Sequence, residues 1–109
     1  MLIDFSKIEE EVLPHFNGGE KEYVTRRYVD DKVKIMKGRL MPGASIGMHT
    51  HKGNSEVIFM TSGTGAVICD GEKKALSEGQ CHYCPEGHTH SLVNESESDI
   101  EFFAVVAEQ

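Results

Sequence analysis

Two histidines and a glutamate lie within the eight-residue segment HTHKGNSE, positions 49–56. Imidazole nitrogens and carboxylate oxygens together bind ions such as Zn, Fe, Mn, Ni and Cu. A single H-x-H pair is a weak signal, because pairs of surface histidines occur without any metal. If the segment is a β-strand, however, His49 and His51 are two positions apart and therefore share one face.

The surrounding sequence predicts that short β-strands position this segment. After residue 20, strand-forming runs are separated by turn residues roughly every eight to twelve positions. No stripe with a helical period is long enough for a packed helix, and Asp70-Gly71 is a strong hairpin signal. This pattern predicts an all-β sandwich or barrel whose interior holds about one ligand. We expect residues 1–20 to form an N-terminal arm, partly helical or extended, and residues 21–109 to form the barrel domain.

The next predicted strand brings a carboxylate to the same interior. Glu56, Ile58 and Met60 are two positions apart and share a face. If Glu56 faces inward beside His49 and His51, a carboxylate and two imidazoles converge in an otherwise apolar cavity.

The spacing of glycines and other residues around this segment resembles the two conserved motifs of the cupin superfamily. The stretch that resembles the first motif is Gly43-x5-His49-x-His51-x4-Glu56-x6-Gly63. The stretch that resembles the second is Gly79-x5-Pro85-x-Gly87-x2-His90-x3-Asn94. All ten motif positions are filled, so the chain is identified as a single-domain cupin. The resemblance implies a double-stranded β-helix, which is a jelly-roll β-barrel.

The resemblance also implies a metal site inside the barrel. By motif position, the ligands of one divalent ion per chain would be His49, His51, Glu56 and His90. Three neutral imidazoles and one carboxylate leave the ion a net charge near +1 and one or two positions for water or substrate. Fe, Mn, Ni or Co suits such a mixed site, and Zn is also compatible. A metal-free barrel and a closed structural zinc site are the alternatives.

Three residues are candidates for acid–base chemistry near the ion: Glu56, Tyr83 and His88. On a straight strand His88 would share a face with His90, although the turn around Gly87 leaves this open. In the strand QCHYC, either His82 with Cys84 or Cys81 with Tyr83 faces the cavity.

Arginines on the early strands could hold an anionic substrate. Arg26 and Arg27 are adjacent, so at most one of them faces inward, and Arg39 lies on the following strand. An inward arginine would bind a carboxylate or phosphate with two hydrogen bonds. A solvated outer face is the alternative for each of them.

The three cysteines are an odd number and are expected to be reduced thiols. Cys81 and Cys84 form a C-x-x-C pair, which can bind zinc or act in redox chemistry. A structural zinc site needs a second pair, and residues three apart on a strand point to opposite faces. We therefore expect Cys81 and Cys84, like Cys69, to be core or surface thiols.

Charge and hydropathy exclude several classes of partner. Acidic residues outnumber basic ones by 18 to 11, for a net charge of −7, which disfavours binding to nucleic acid. The longest apolar run, FFAVVA, is too short to span a bilayer, so we expect no membrane partner and a cytoplasmic location.

The resemblance implies a metal-dependent enzyme for a small oxygen-rich metabolite, of dioxygenase, decarboxylase, isomerase or lyase type. The alternative is a sensor or carbohydrate-binding module that binds a small molecule without turnover. Because cupins frequently pair through their outer strands, a homodimer is also expected.

Overall fold

The computed structural model describes all 109 residues, and ten β-strands account for most of them. Two short 3-10 turns, Phe5–Lys7 and Phe16–Gly18, lie before and after the first strand. The strands are β1 (Glu11–Pro14), β2 (Glu22–Val29), β3 (Val33–Leu40), β4 (Ser45–Thr50), β5 (Asn54–Ser62), β6 (Thr64–Cys69), β7 (Glu72–Ser77), β8 (Cys81–Cys84), β9 (Thr89–Val93) and β10 (Ile100–Glu108). The chain contains no helix with the length and apolar character needed to cross a membrane.

The strands form two antiparallel sheets that share one hydrophobic core. The larger sheet has the order β1-β2-β3-β10-β5-β8, and the smaller has the order β4-β9-β6-β7. Tyr23, Leu40 and Phe102 of the larger sheet belong to the same buried cluster as Val67 and Leu92 of the smaller one. The predicted all-β jelly roll is therefore confirmed.

Strict alternation along β10 explains its central place in the larger sheet. Ile100, Phe102, Ala104 and Val106 are all buried, whereas the residues between them are more exposed. The ring of Phe102 lies over Gly38, where an added Cβ would come within 2.6 Å of the ring. Only glycine therefore lets β3 and the aromatic core approach this closely.

Turn residues end the strands where the sequence predicts. Asp70 and Gly71 have φ values of 50° and 81°, as the tight turn between β6 and β7 requires. Gly63, with φ of 85°, joins β5 to β6, and Gly43 has φ of 83°. Side chains are disfavoured at such positive φ, which accounts for these two motif glycines.

The N-terminal arm adds an edge strand to the larger sheet. Its helical parts are the two 3-10 turns Phe5–Lys7 and Phe16–Gly18, and its extended part is β1, which pairs with β2. The ring of Phe5 packs against Phe103 with centroids 5.5 Å apart. Arg27 on β2 holds Glu11 on β1 through two hydrogen bonds of 3.1 and 2.8 Å.

A buried tyrosine makes the fold sensitive to alkaline pH. Tyr23 is 2% exposed, and burial raises its pKa to about 12. Because the unfolded chain releases this proton near pH 10, the stabilisation is complete below that pH and is lost as the pH rises towards 12. We expect the loss to be about 2 to 3 kcal/mol, measured by guanidinium unfolding between pH 8 and 12. Tyr23→Phe should reduce this alkaline slope, and Cys84, whose pKa burial also raises to about 12, accounts for a further part of it. An unchanged slope in Tyr23→Phe would contradict the assignment.

Candidate metal centre

Strand register brings the four predicted ligands together between the two sheets. In the smaller sheet, His49 of β4 is paired directly with His90 of β9. In the larger sheet, Glu56 of β5 is paired with Val106 of β10, whose side chain faces the core. His51 follows the end of β4 and is held by a backbone hydrogen bond from its amide to the carbonyl of His88. We refer to His49, His51, Glu56 and His90 as the histidine–glutamate cluster.

Donor atoms of this cluster converge closely. Glu56 Oε1 lies 3.0 Å from His51 Nε2, 2.9 Å from His90 Nε2 and 3.9 Å from His49 Nε2. His90 Nε2 is in turn 2.9 Å from His51 Nε2 and 3.1 Å from His49 Nε2. The side chains of His51, Glu56 and His90 are buried, and that of His49 is partly exposed.

Hydrogen bonds made by Nδ1 determine which ring nitrogen of His49 and of His51 carries the proton. His49 Nδ1 donates to the carbonyl of Gly47 at 2.7 Å, and His51 Nδ1 donates to Asn54 Oδ1 at 2.6 Å. Because both partners are acceptors, each neutral ring has its lone pair on Nε2. Two lone pairs and a carboxylate therefore point at one another, an arrangement that is stabilised by a cation between them, either a metal ion or protons on the Nε2 atoms.

The spacing of these atoms fits a metal ion. Ligands at about 2.1 Å from an octahedral ion are about 3.0 Å apart at neighbouring positions, against about 3.4 Å around a tetrahedral ion. Four of the five distances in the cluster lie between 2.9 and 3.1 Å. The donor set therefore fits one divalent ion, with spacing closer to octahedral than to tetrahedral neighbours.

Electrostatics keep the carboxylate of Glu56 ionised. Burial alone would raise the pKa of Glu56, but contacts with His49, His51 and His90, when these rings carry a proton on Nε2, outweigh burial and hold the pKa well below its ordinary value. The hydrogen bond to Glu56 raises the pKa of His51, which burial partly opposes. Glu56 is thus available as an anionic ligand at neutral pH.

His82 supports the cluster from the neighbouring strand. Its Nε2 lies 2.9 Å from His90 Nδ1, on the side of the His90 ring that faces away from Glu56. Burial, together with the neighbouring charge of His90, lowers the pKa of His82 to about 4. The alternation left open by the sequence is thus resolved: His82 and Cys84 face inward, and Cys81 and Tyr83 face outward.

The structure places two of the three acid–base candidates away from the cluster. Tyr83 lies on the outer face of β8 and is 59% exposed. His88 precedes β9, is exposed, and contacts Asp70 through Nδ1 and Oδ2 at 2.6 Å. That contact holds the pKa of Asp70 below its ordinary value. Of the candidates, only Glu56 lies at the cluster.

A cavity of about 330 Å³ opens beside the cluster and is lined by His49, His51 and Glu56. Arg27, Lys34 and Lys52 are its cationic lining residues. Of the two adjacent arginines, Arg27 is therefore the one at the cavity.

The other two arginines lie elsewhere. Arg26 donates to the carbonyl of Ile8 and lies 3.8 Å from Glu10. Arg39 pairs at 3.9 Å with Glu10 and at 3.6 Å with Asp99.

Three residues of the site, Lys34, Asn54 and Gly47, were not predicted from the sequence. Lys34 faces the cavity because it pairs with Val106, which pairs in turn with Glu56 across the sheet. Asn54 and Gly47 act through single hydrogen bonds to ring nitrogens. The alternation of β3, which places Lys34 on the face of the buried Met36, is the signal that would have found Lys34.

Comparison with known proteins identifies the family and the fold. A family model described as a Cupin domain matches residues 36–106. An oxalate-binding protein of Thermotoga maritima is 28% identical over 112 aligned residues, covering 97% of this chain and 93% of that protein. The crystal structure of a predicted oxalate decarboxylase from Thermotoga maritima superposes with a TM-score of 0.93 at 26% identity, covering both chains completely. Mannose-1-phosphate guanylyltransferase of Escherichia coli is 28% identical over 75 residues, but the match spans only 16% of its length.

Proposed function

Because the chain belongs to the cupin family, we propose that it binds one divalent metal ion at the histidine–glutamate cluster and, beside that ion, a small dicarboxylate of the oxalate class. The observation that carries the proposal is the convergence of proton-free Nε2 atoms and a carboxylate within 4.8 Å of one another. Fe, Mn, Ni, Co and Zn are all compatible with these donors. When bound, the ion supplies a Lewis acid that attracts and polarises carboxylate oxygens.

The charges around the cavity favour an anionic ligand. The protein carries a net charge of −7, yet three cationic residues, Arg27, Lys34 and Lys52, line this cavity. Glu56 is the single anionic residue among the lining residues. Neither Lys34 nor Lys52 takes part in any of the ion pairs of the structure, so both are available to a ligand carboxylate. A local excess of positive charge in an acidic protein concentrates anions at the site.

The relatives support the same ligand class. One is named an oxalate-binding protein and another a predicted oxalate decarboxylase, and each aligns with nearly the whole of this chain. Oxalate has six heavy atoms and fits easily within the cavity of about 330 Å³. One carboxylate would face the cluster, and the second would face the lysines at the cavity wall.

Decarboxylation is the second candidate function, favoured by the superposition with a TM-score of 0.93. In that reaction the carbon–carbon bond of oxalate breaks, carbon dioxide leaves, and the remaining carbon takes up a proton to give formate. Glu56 is held ionised, so its role here is that of a ligand, and the proton would come from solvent at the cavity mouth. Binding without turnover needs no proton donor and is therefore the function that these residues support best.

Calorimetric titration of oxalate into manganese-loaded protein tests the proposal. We expect one oxalate per chain, no binding to chelator-treated protein, and binding weakened at least about 100-fold in His51→Ala, because the ion is lost. Lys34→Ala should weaken oxalate about tenfold while the manganese content stays unchanged, since one charge contact to the ligand is removed. His88→Gln is the matched control, because His88 lies outside the cluster.

The same samples distinguish binding from turnover. Equal amounts of formate and carbon dioxide, formed by the wild type and absent in His51→Ala, would identify a decarboxylase. Oxalate recovered unchanged would identify a binding protein. Oxalate that binds equally well without metal would overturn the proposal.

We also propose that the protein forms a homodimer and is located in the cytoplasm. Val57, Phe59 and Tyr83 are exposed on the outer face of β5 and β8, which is suited to pairing of two copies as a homodimer. The three free cysteines are compatible with a cytoplasmic location.

A further inference from the structure

A second group of metal-binding side chains lies on the other side of His90. Cys69 ends β6, and His82 and Cys84 belong to β8. The two sulfur atoms and a ring nitrogen of His82 lie within 4.8 Å of one another. We refer to these three residues as the thiol cluster.

Register explains why residues so far apart in sequence meet. Cys84 is paired with Glu56 across β8 and β5, and Cys69 is paired with His90 across β6 and β9. Each cysteine therefore lies one strand beyond a member of the histidine–glutamate cluster, at the same level between the sheets. Cys81 of the C-x-x-C pair is exposed and is not among the three side chains whose donor atoms converge.

We propose that Cys69, His82 and Cys84 form a second metal site, which takes a thiophilic ion such as Zn²⁺ or Cu⁺. Thiolate and imidazole ligands select these ions over Mg²⁺, Ca²⁺ or Mn²⁺. Around a tetrahedral zinc ion the sulfurs would be about 3.8 Å apart, so donor atoms within 4.8 Å need shift by only about 1 Å. Each thiol gives its proton to solvent as its sulfur binds the ion.

The surroundings of the thiol cluster leave room for the ion and for one further ligand. His82 Nε2 contacts His90, which leaves Nδ1 as the ring nitrogen without a hydrogen-bond partner in the protein. Cys69, His82 and Cys81 line a groove of about 620 Å³, whereas Cys84 is fully buried. A water or small ligand in the groove would complete the coordination, as in zinc sites that keep an open position.

The contact between His82 and His90 makes the two sites compete. If His90 binds an ion through Nε2, the proton of its ring lies on Nδ1, which donates a hydrogen bond to His82 Nε2. The proton of the His82 ring then lies on Nδ1, and this nitrogen cannot bind an ion. If His82 binds an ion through Nδ1, it donates from Nε2 to His90, whose Nε2 proton then faces Glu56 at 2.9 Å. One hydrogen bond therefore lets only one of the two neutral rings bind an ion at a time.

Titration of reduced, metal-free protein with Cd²⁺ tests the proposal. Sulfur bound to Cd²⁺ gives an ultraviolet charge-transfer band that the histidine–glutamate cluster, which contains no sulfur, does not produce. We expect one such band per chain, with Cd²⁺ affinity at this band reduced about tenfold or more in Cys69→Ser, Cys84→Ala and His82→Gln. Cys81→Ser is the matched control and should keep the band.

Further variants separate this site from the proposed function. His51→Ala, which disables the histidine–glutamate cluster, should keep the band with an affinity at least as high as wild type, because the competing site is gone. Circular dichroism verifies that each variant is folded, and Cys69→Ser keeps the test valid if the buried Cys84 does not tolerate replacement. Absence of the band in wild type, or its loss in Cys81→Ser alone, would overturn the proposal, whatever the outcome for oxalate.

Discussion

Removal of the proposed metal ion with a chelator is expected to lower the thermal unfolding midpoint by about 10 to 20 °C. An ion present at 100 times its dissociation constant stabilises the fold by about 2.7 kcal/mol. In a domain of this size each kcal/mol shifts the midpoint by about 4 to 8 °C. The unfolded chain lacks the arrangement of His49, His51, Glu56 and His90, so the ion binds chiefly the folded state.

Calorimetry with Mn²⁺ measures this shift without involving the thiols, because manganese prefers oxygen and nitrogen ligands. His51→Ala should unfold at the same temperature with and without Mn²⁺. Glu56→Gln should weaken binding at least about 100-fold, because the ion loses its only anionic ligand in the cluster. His88→Gln should respond like the wild type, and a full response in His51→Ala would place the ion elsewhere.

Replacement of Gly47 by alanine is expected to destabilise the protein by about 3 kcal/mol or more, equivalent to about 12 to 24 °C in the unfolding midpoint. A Cβ at this position would overlap the carbonyl oxygen of Asn17 and lie 2.7 Å from the amide nitrogen of Gly19. Both contacts are with backbone atoms of the N-terminal arm, which cannot move away as a flexible side chain can. β4 or the arm must therefore shift.

The same substitution should weaken metal binding about 10- to 100-fold, because the carbonyl of Gly47 accepts a hydrogen bond from His49 Nδ1 and thereby orients His49 Nε2. Scanning calorimetry and metal titration measure the two effects on one sample. Met48→Ala is the matched control, since Met48 is the next residue of β4 and is half exposed. A wild-type midpoint in Gly47→Ala would show that the arm does not pack against β4 in this way.

Local rules account for the parts of the structure that were predicted correctly. The jelly roll follows from short runs with turn residues between them, and Asp70-Gly71 forms its turn because both residues adopt positive φ. Alternation along a strand places Glu56, Ile58 and Met60 on one buried face. These features depend on residues within one strand or turn, so the sequence contains them directly.

Features that depend on pairing between distant strands were not predictable in this way. Cys69 and Cys84 meet only because β6 and β8 belong to different sheets that face each other. The side chain of His88 points away from the cluster because β9 begins one residue later, at Thr89. Local spacing does not determine where a strand begins or which strand lies opposite.

The cross-strand alignment of Glu56, Val106 and Lys34 also limits how the gene can vary in length. Adding or deleting one codon within β5 would turn the side chain of Glu56 from the interior to the outer face, because neighbouring residues of a strand face opposite ways. The same change in the longer connection between β9 and β10, residues 94–99, is compatible with every strand remaining in register. We therefore expect natural insertions and deletions in descendants of this protein to concentrate in its turns, and the strands that carry both clusters to keep a constant length.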